Sequence, residues 1–277
     1  LSALWQGWRL GGGLPGLIGT PYGAMLGVKV LLLLTMIGFA LRHRHRLVPR
    51  LPGTQAVLTA SVAVEAIIGL LAVWAAVTLM ALSPGMHEQP WWPFAWRLDG
   101  FAFFDPELRR DVMGGVLLVG LATALVLAGI WRRWAWLGVP VALWLAVPHL
   151  DLLFVPAYPT SFWQEPAPAS PASVARGERL YAEHCVVCHG IDKKGNGPSA
   201  GGLAIPPADL TAAHLWDHSD GELFWWLTAG MPGPAGGMVM PGFAGILTED
   251  ERWAVIDAVR ASNPYRPITG GEPHHRH

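Results

Sequence analysis

The stretch LYAEHCVVCHG, residues 180–190, contains the only two cysteines of the chain, Cys185 and Cys188, and His189 follows the second one directly. A C-x-x-C pair can form a disulfide, half of a zinc site, a redox dithiol or an attachment point for haem. A structural zinc site needs two more Cys or His ligands at suitable spacing. A redox dithiol does not need the adjacent histidine and usually lies between a strand and a helix. The C-x-x-C-H pattern therefore favours haem, because two thiols can attach it while the imidazole reaches the iron.

The composition does not fit a single soluble globule. Of the 277 residues, 52% are hydrophobic and only 14% are charged, and the apolar residues are concentrated before residue 156. This length leaves room for two domains. The formal net charge is -1, and no basic stripe is interleaved with aromatic residues. Nucleic acid is therefore excluded as a partner.

Four apolar runs predict a helical membrane domain over residues 21–156. Each run is close to or longer than the roughly 20 residues that cross a bilayer core. The predicted spans are residues 22–41, 56–82, 112–131 and 134–155. We therefore expect an all-α fold, with about four spans in contact with membrane lipid. Residues 1–20 are expected to be an external loop stub of a chain that continues upstream of Leu1.

The arginines predict the orientation of these spans. Four arginines lie between residues 42 and 50, after the first span, and Arg132 and Arg133 lie between the third and fourth spans. Loops rich in Arg stay in the cytoplasm. Residues 1–20, the loop 83–110 and everything after residue 155 are therefore expected on the outer side.

A soluble module is predicted after a Pro-rich linker. Residues 157–172 are rich in Pro, Ala and Ser, which predicts a semi-extended tether. The module covers residues 173–264, and the tail 265–277 is expected to be disordered. Helices are expected at 174–186, with Ser173 as a possible N-cap, at 219–229, and at 248–262, where Thr248 and Glu251 form a capping-box pattern. No stretch of the module alternates convincingly as a strand.

The surroundings of the cysteines carry a family resemblance. Gly177, Leu180 and Tyr181 precede them at G-x-x-L-Y spacing, and MPGF at 240–243 leads into the last helix. These features resemble the class I c-type cytochromes over residues 173–264. The resemblance implies one covalent haem c, attached outside the cytoplasmic membrane, with His189 as the proximal iron ligand and Met240 as the distal one.

Three positions of this module remain open. Met238 and then Met231 are the other candidates for the distal ligand. The carbonyl of Pro207 or Pro206 is expected to orient the His189 ring, although a plain loop proline explains the sequence equally well. Where the family usually has an aromatic residue, this chain has Ala258. We therefore expect Trp253 or Val259 to pack against Gly177.

The membrane half resembles a second family. GTPYGAMLGVKVLLLL, the following basic loop, SVAVEAIIGLLAV and HEQPWWPFAWRL lie between about residues 5 and 100. They are similar to the C-terminal part of the copper-resistance protein D family, which normally has further helices upstream. This likeness, with an attached cytochrome, implies a multi-pass protein of the bacterial inner membrane whose cytochrome lies in the periplasm.

Two groups of side chains in the membrane half could carry chemistry. An ionisable residue in a span is costly unless it is paired, so Lys29 and Glu65 are predicted to form an ion pair between antiparallel helices. Thioether and imidazole groups suit Cu(I), which makes Met86, His87 and His149 candidates for copper, together with Met80 and Met113. No Met-x-x-Met repeat or His pair links them, and Met in apolar spans usually serves packing.

These observations predict a membrane-anchored monohaem cytochrome that transfers electrons on the periplasmic side. Its expected partner is a redox protein or a larger respiratory or photosynthetic membrane complex. No nucleophile, general base or substrate pocket is evident, so electron transfer is expected rather than catalysis. One alternative is copper import or delivery, with the cytochrome supplying reducing equivalents. Another is a membrane domain that serves mainly as a docking subunit.

Overall fold

The computed structural model describes residues 2–98, 106–129, 136–234 and 236–265. The described chain is mainly helical, which confirms the all-α prediction. Its contacts divide it into two compact units, Leu1–Pro93 with Phe162–Gln164, and Phe94–Ser161 with Glu165–His277. These units follow contacts rather than membrane location, so the predicted domain boundaries at residues 156 and 173 stay predictions. Arg132, Arg133 and the predicted tail beyond residue 265 lie outside the described residues.

The first unit is built around a helical hairpin. Thr20 caps the first long helix by accepting a hydrogen bond from the Gly23 amide, and Pro21 occupies the first helical position, where its missing N–H costs nothing. Helical structure then continues to Arg50 through a π-helical turn. The elements are α1 (Ser2–Leu10), α2 (Gly13–Gly19), α3 (Pro21–Arg42), the π-helical turn His43–Leu47, the 3-10 turn Val48–Arg50, α4 (Gln55–Ala81) and the 3-10 turn Gly85–His87.

The second unit contains two further apolar helices and the C-terminal module. Strands β1 and β2 pair antiparallel, with Trp96 opposite Pro156, and β3 pairs antiparallel with β4. The elements are β1 (Trp96–Leu98), α5 (Pro106–Gly129), α6 (Gly138–Leu150), β2 (Phe154–Pro156), α7 (Pro171–His184), α8 (Val186–His189), α9 (Asp220–Ala229), β3 (Met231–Pro232), β4 (Met238–Met240) and α10 (Glu249–Ser262). The strands were not predicted, because two or three residues are too few to show alternation.

Three helices of the described chain are long and apolar enough to cross a membrane. They are Pro21–Arg50, Gln55–His87 and Leu108–Gly129. The fourth predicted span contains α6, which has 13 residues with Pro148 inside it and is followed by the turn Asp151–Leu153. That helix is shorter than the roughly 20 residues a bilayer core requires. The three long helices confirm the prediction of a multi-pass membrane protein.

Local signals set the ends of α7 and α10. Thr248 caps α10 and forms a reciprocal capping box with Glu251, as predicted. The cap of α7 is Ser170 rather than Ser173, which instead closes the capping box from the third helical position. Pro171 explains the difference, because proline is well suited to the first position of a helix. The helix therefore begins at Pro171, and the residue before it is the N-cap.

Helices α7 and α10 approach each other closely at Gly177. A side chain there would meet the Ala254 carbonyl and the Ala258 methyl group. The expectation that Trp253 or Val259 packs against Gly177 is therefore wrong. Two small residues let the helix backbones come together, while Trp253 stacks on Phe224 with ring centroids 4.4 Å apart.

The first part of the predicted linker is attached to α9. Thr160 donates a hydrogen bond to the Gly221 carbonyl over 2.6 Å, and the hydroxyl of Ser219 donates to the Ser161 carbonyl over 2.9 Å. The Tyr158 ring packs edge-on against Trp226. Residues 158–161 are therefore anchored rather than semi-extended, because their hydroxyl and backbone groups find partners at the start of α9. Residues 166–170 are exposed.

Candidate functional site

A mostly apolar cavity of about 240 Å³ lies within the second unit. Helices α7 to α10 and the β3–β4 hairpin all contribute to its wall. The lining residues are Tyr181, Cys185, His189, Ala208, Leu210, His214, Leu215, His218, Leu223, Trp226, Leu227, Met231, Met240, Val255, Ile256 and Val259. Two residues of the C-x-x-C-H motif thus share one cavity with two of the three candidate methionines.

The junction of α7 and α8 brings the motif together. The Cys185 carbonyl accepts hydrogen bonds from the amides of Cys188 and His189, over 3.1 and 2.9 Å. This single turn carries both thiols and the imidazole. Cys185 is buried, Cys188 is half-buried, and neither is in a disulfide. Burial above all, and then the nearby Cys188, raise the pKa of the Cys185 thiol to about 11. A redox-active dithiol needs a lowered thiol pKa, so that alternative is not supported.

A zinc site at the cysteines is not supported either. Within the described residues, no three side chains of the types His, Cys, Asp or Glu are grouped so as to hold a metal ion. The cysteines therefore lack the additional ligands that a structural zinc site requires.

The His189 ring is oriented by a backbone carbonyl. Its Nδ1 lies 3.2 Å from the carbonyl oxygen of Ala208. A carbonyl only accepts, so Nδ1 carries the proton and the lone pair of Nε2 is free to bind a metal. Burial lowers the pKa of His189, against the opposing effect of the Ala208 carbonyl. Burial therefore favours the neutral imidazole that ligation needs.

The orienting residue differs from the predicted Pro207 by one position. The Pro207 carbonyl instead lies beside Gly195, whose φ of +72° and missing side chain allow that close approach. Successive carbonyls of an irregular loop point in different directions. The sequence therefore located the segment but not the acceptor.

The β3–β4 hairpin presents two methionines to the cavity. Met231 and Met240 are opposite each other in the register, and both line the cavity wall. Met238 is 52% exposed and its side chain lies against Gly230. The sequence placed Met238 ahead of Met231, but this geometry favours Met231 as the alternative. Met240 as the distal ligand stays a prediction.

Several polar residues near the cavity were missed from the sequence. His214 and His218 line it, and Nδ1 of His218 lies 3.4 Å from Oε2 of Glu222. The other oxygen of this buried carboxylate lies 3.5 Å from Nε of Arg97. The four-residue spacing between His218, which precedes α9, and Glu222 in its first turn could be read from the sequence. The contact between Arg97 and Glu222 could not be read from the sequence, because Arg97 lies in a distant strand, β1.

These residues fit a covalently attached haem. Imidazole, thioether and two thiols are the donor and attachment groups of c-type haem, and apolar side chains form most of the cavity wall around His189 and Met240. The neutral imidazole with a free Nε2 meets the requirement for an iron ligand.

The predicted ion pair between Lys29 and Glu65 is not formed. Oε2 of Glu65 lies 3.3 Å from Nδ1 of His43. The hairpin register explains the difference, since Gly69 of α4 faces Met36 of α3. Because helical structure continues past Arg42, His43 rather than Lys29 is level with Glu65, and about 21 Å of helix separates Lys29 from His43.

The copper candidates do not form a recognisable site in the described residues. Met86 and His87 are neighbours in one 3-10 turn, and both are exposed. His149 lies in α6 of the other unit. Met80 is 88% exposed and Met113 is 45% exposed. Copper binding here stays a prediction.

Comparisons with known proteins confirm the predicted combination of families. Residues 2–79 match the family model of Copper resistance protein D, and residues 172–257 match that of Cytochrome C oxidase, cbb3-type, subunit III. The second match implies a covalently bound haem c. Together with the apolar helices, the matches show a multi-pass, membrane-anchored c-type cytochrome.

Comparisons with curated proteins and with solved structures do not identify a function. No curated protein matches the chain. Among solved structures, a chain of the Kuenenia stuttgartiensis reducing HAO-like protein complex Kustc0457/Kustc0458 is 26% identical, with a TM-score of 0.33. The similar region covers 44% of this chain and 59% of that one, less than two thirds of its length. A likeness of this degree carries no argument about function.

Proposed function

We propose that the protein holds one haem c in the cavity beside His189 and transfers electrons on the periplasmic face of the bacterial inner membrane. It acts there as a subunit or partner of a membrane redox complex. The hydrogen bond between Nδ1 of His189 and the Ala208 carbonyl carries the proposal. It fixes the tautomer that leaves Nε2 free within an apolar cavity, next to the two thiols of one helical turn.

Each group of residues has its own task in this proposal. Cys185 and Cys188 attach the cofactor, and His189 and Met240 are the iron ligands. Apolar side chains of α9 and α10, such as Leu227 and Val255, exclude water from the cavity. When bound, the haem supplies the one-electron chemistry. A thioether ligand favours a higher reduction potential than a second imidazole.

The arginine-rich end of the α3–α4 hairpin supports the orientation. Arg42, Arg44, Arg46 and Arg50 lie at the end where α3 passes into α4. Positively charged loops stay in the cytoplasm, so the opposite ends of α3 and α4 face the periplasm. The proposal also requires that α5 and the predicted span 134–155, which contains α6, both cross the membrane, because two crossings return the chain to the periplasmic side. A fusion of alkaline phosphatase after Tyr265 tests this side. High phosphatase activity supports a periplasmic cytochrome, whereas activity only for a fusion after Arg50 contradicts it.

Spectra of the full-length chain purified from membranes test the electron carrier. We expect a low-spin c-type spectrum that is reversible between the reduced and oxidised forms. A native pull-down from the same membranes should recover a redox protein or complex that reduces or oxidises this haem. A chain with haem that no co-purifying component can reduce or oxidise would contradict the assigned role.

Copper import or delivery is the second candidate. The match to a family named for copper resistance favours it, as does the pair Met86 and His87 in one exposed turn. The match ends at residue 79, before that turn. Copper and iron should be measured on the purified protein and on the double variant Met86→Ala, His87→Ala. Stoichiometric copper that is lost in the variant supports this candidate, whereas iron alone supports the electron carrier.

A further inference from the structure

A cluster of three polar side chains lies at one end of the α3–α4 hairpin. His43 opens the π-helical turn, and its two ring nitrogens contact two residues of α4. Nδ1 lies 3.3 Å from Oε2 of Glu65, and Nε2 lies 2.6 Å from Oγ of Ser61. The side chains of His43 and Glu65 are only 13% and 24% exposed, and Ser61 is buried. Both nitrogens of one imidazole therefore have a partner on the facing helix.

Helix length places His43 near one edge of the predicted membrane core. His43 is about 33 Å along the helix from Pro21, slightly more than the roughly 30 Å thickness of the hydrocarbon region. The helical turns that follow carry Arg44, Arg46 and Arg50, whose side chains are exposed. Protons can therefore reach the cluster from the water at the arginine-rich end.

Few other ionisable groups surround the cluster. Glu65 is the only charged residue of α4. On α3 and the turns that follow it, the titratable residues besides His43 are Tyr22, Lys29, Arg42, Arg44, His45, Arg46 and Arg50. Glu65 is therefore the only acidic group on the elements packed against His43, and the nearby arginines are exposed to solvent.

The hydroxyl of Ser61 allows two hydrogen-bonding states that differ by one proton. Its Oγ lies 3.1 Å from the Leu58 carbonyl and 2.6 Å from Nε2 of His43, so one hydroxyl proton has two acceptors within reach. When both nitrogens of His43 are protonated, Nδ1 donates to Glu65, Nε2 donates to Ser61, and Ser61 donates to Leu58. When Nε2 has lost its proton, Nδ1 still donates to Glu65 and Ser61 donates to Nε2.

In both states each ring nitrogen of His43 has a hydrogen-bond partner. The loss or gain of a proton at Nε2 therefore avoids the cost of a buried polar group without a partner. We propose that His43, Glu65 and Ser61 form a proton-binding site in the hairpin. It takes up one proton at Nε2 of His43 from the arginine-rich side and releases it there when Ser61 turns. Ionisable groups within membrane helices are costly and commonly serve ion or proton movement. The site therefore gives the membrane half a chemical role of its own.

Nitrogen-15 NMR of histidine-labelled, full-length protein in phosphatidylcholine vesicles tests the site. One histidine should be doubly protonated at about pH 5 and protonated only on Nδ1 at about pH 9. This signal should be missing in His43→Gln and unchanged in His45→Gln, which replaces an exposed histidine two residues away. In Glu65→Gln the pH dependence of this signal should differ from that of the unmodified chain, because the anion partner of Nδ1 is lost.

Two outcomes would overturn the proposal. One is a His43 signal with a single protonation state over the whole range. The other is a pH dependence of this signal in Glu65→Gln that is identical to that of the unmodified chain. The contact between His43 and Glu65 would then have a structural role only. The haem spectrum and gel-filtration profile report folding of each variant. If His43→Gln does not accumulate, the shift of the same signal in Ser61→Ala assigns it, because that variant removes the partner of Nε2.

Discussion

Met231 and Met240 face each other across the β3–β4 hairpin, and both side chains line the cavity that His189 enters. Met238, two residues before Met240, is half-exposed outside this wall. The hairpin thus holds two thioethers close to the same space. Under the proposed function, the methionine that binds the iron decides the chemistry of the distal side.

Single methionine variants separate these roles. We expect Met240→Ala to lose the sulfur-to-iron band of the oxidised protein and to lower the reduction potential, because the thioether ligand is removed. Met231→Ala and Met238→Ala should keep the band and serve as matched controls. Loss of the band in Met231→Ala, with Met240→Ala unaffected, would reverse the assignment.

Close packing at Gly177 should make the C-terminal module sensitive to one methyl group. Gly177→Ala places a Cβ against the Ala254 carbonyl, a backbone atom that cannot move independently. We expect a loss of about 3 kcal/mol in the free energy of unfolding, at the upper end of typical overpacking costs. Denaturant unfolding of the full-length protein, followed by haem absorbance, measures it.

Gly201→Ala is the control for this substitution, since a Cβ at Gly201 has no atom within 4 Å. It should change the free energy of unfolding by no more than about 0.5 kcal/mol. Equal effects of the two variants would show that the α7–α10 contact is not as close as described.

The pH dependence of stability should report on Glu165. Burial first, and then the neighbouring Asp257, raise the pKa of Glu165 from its ordinary 4.5 to about 7. The folded protein therefore holds this proton more tightly than the unfolded chain, and stability falls as the pH rises from about 4.5 to about 7. Glu165→Gln removes this loss.

We expect Glu165→Gln to raise the melting temperature above about pH 7 and to change it little near about pH 4. Thermal unfolding at both pH values checks the difference. Glu183→Gln, at an exposed side chain of α7, is the matched control. An equal rise in melting temperature at both pH values would show that the effect of Glu165 on stability does not depend on its protonation.

The parts that could be predicted from sequence are those with local signals. The cytochrome c resemblance around the C-x-x-C-H motif, three of the four apolar runs and the capping box at Thr248 each rest on short segments, and the structure or the family matches confirm them. Contacts between side chains that are distant in the sequence could not be predicted in the same way. Glu65 meets His43 because helical structure continues beyond the apolar run, and a sequence does not show how far it continues.

The orientation of individual groups was also out of reach. Ala208 rather than Pro207 orients His189, and this depends on the direction of one carbonyl in an irregular loop. The β3–β4 hairpin has strands of two and three residues, too short for a periodic pattern, and its pairing brings Met231 to the cavity. These features follow from tertiary structure rather than from propensity.

The most direct test of the cytochrome assignment is the haem content of the full-length chain after denaturation. Protein purified from the membranes of cells that mature c-type cytochromes should keep one haem per chain on a denaturing gel. The double variant Cys185→Ala, Cys188→Ala should keep none. Covalent haem that persists in the double variant, or its absence from the unmodified chain, would contradict the account.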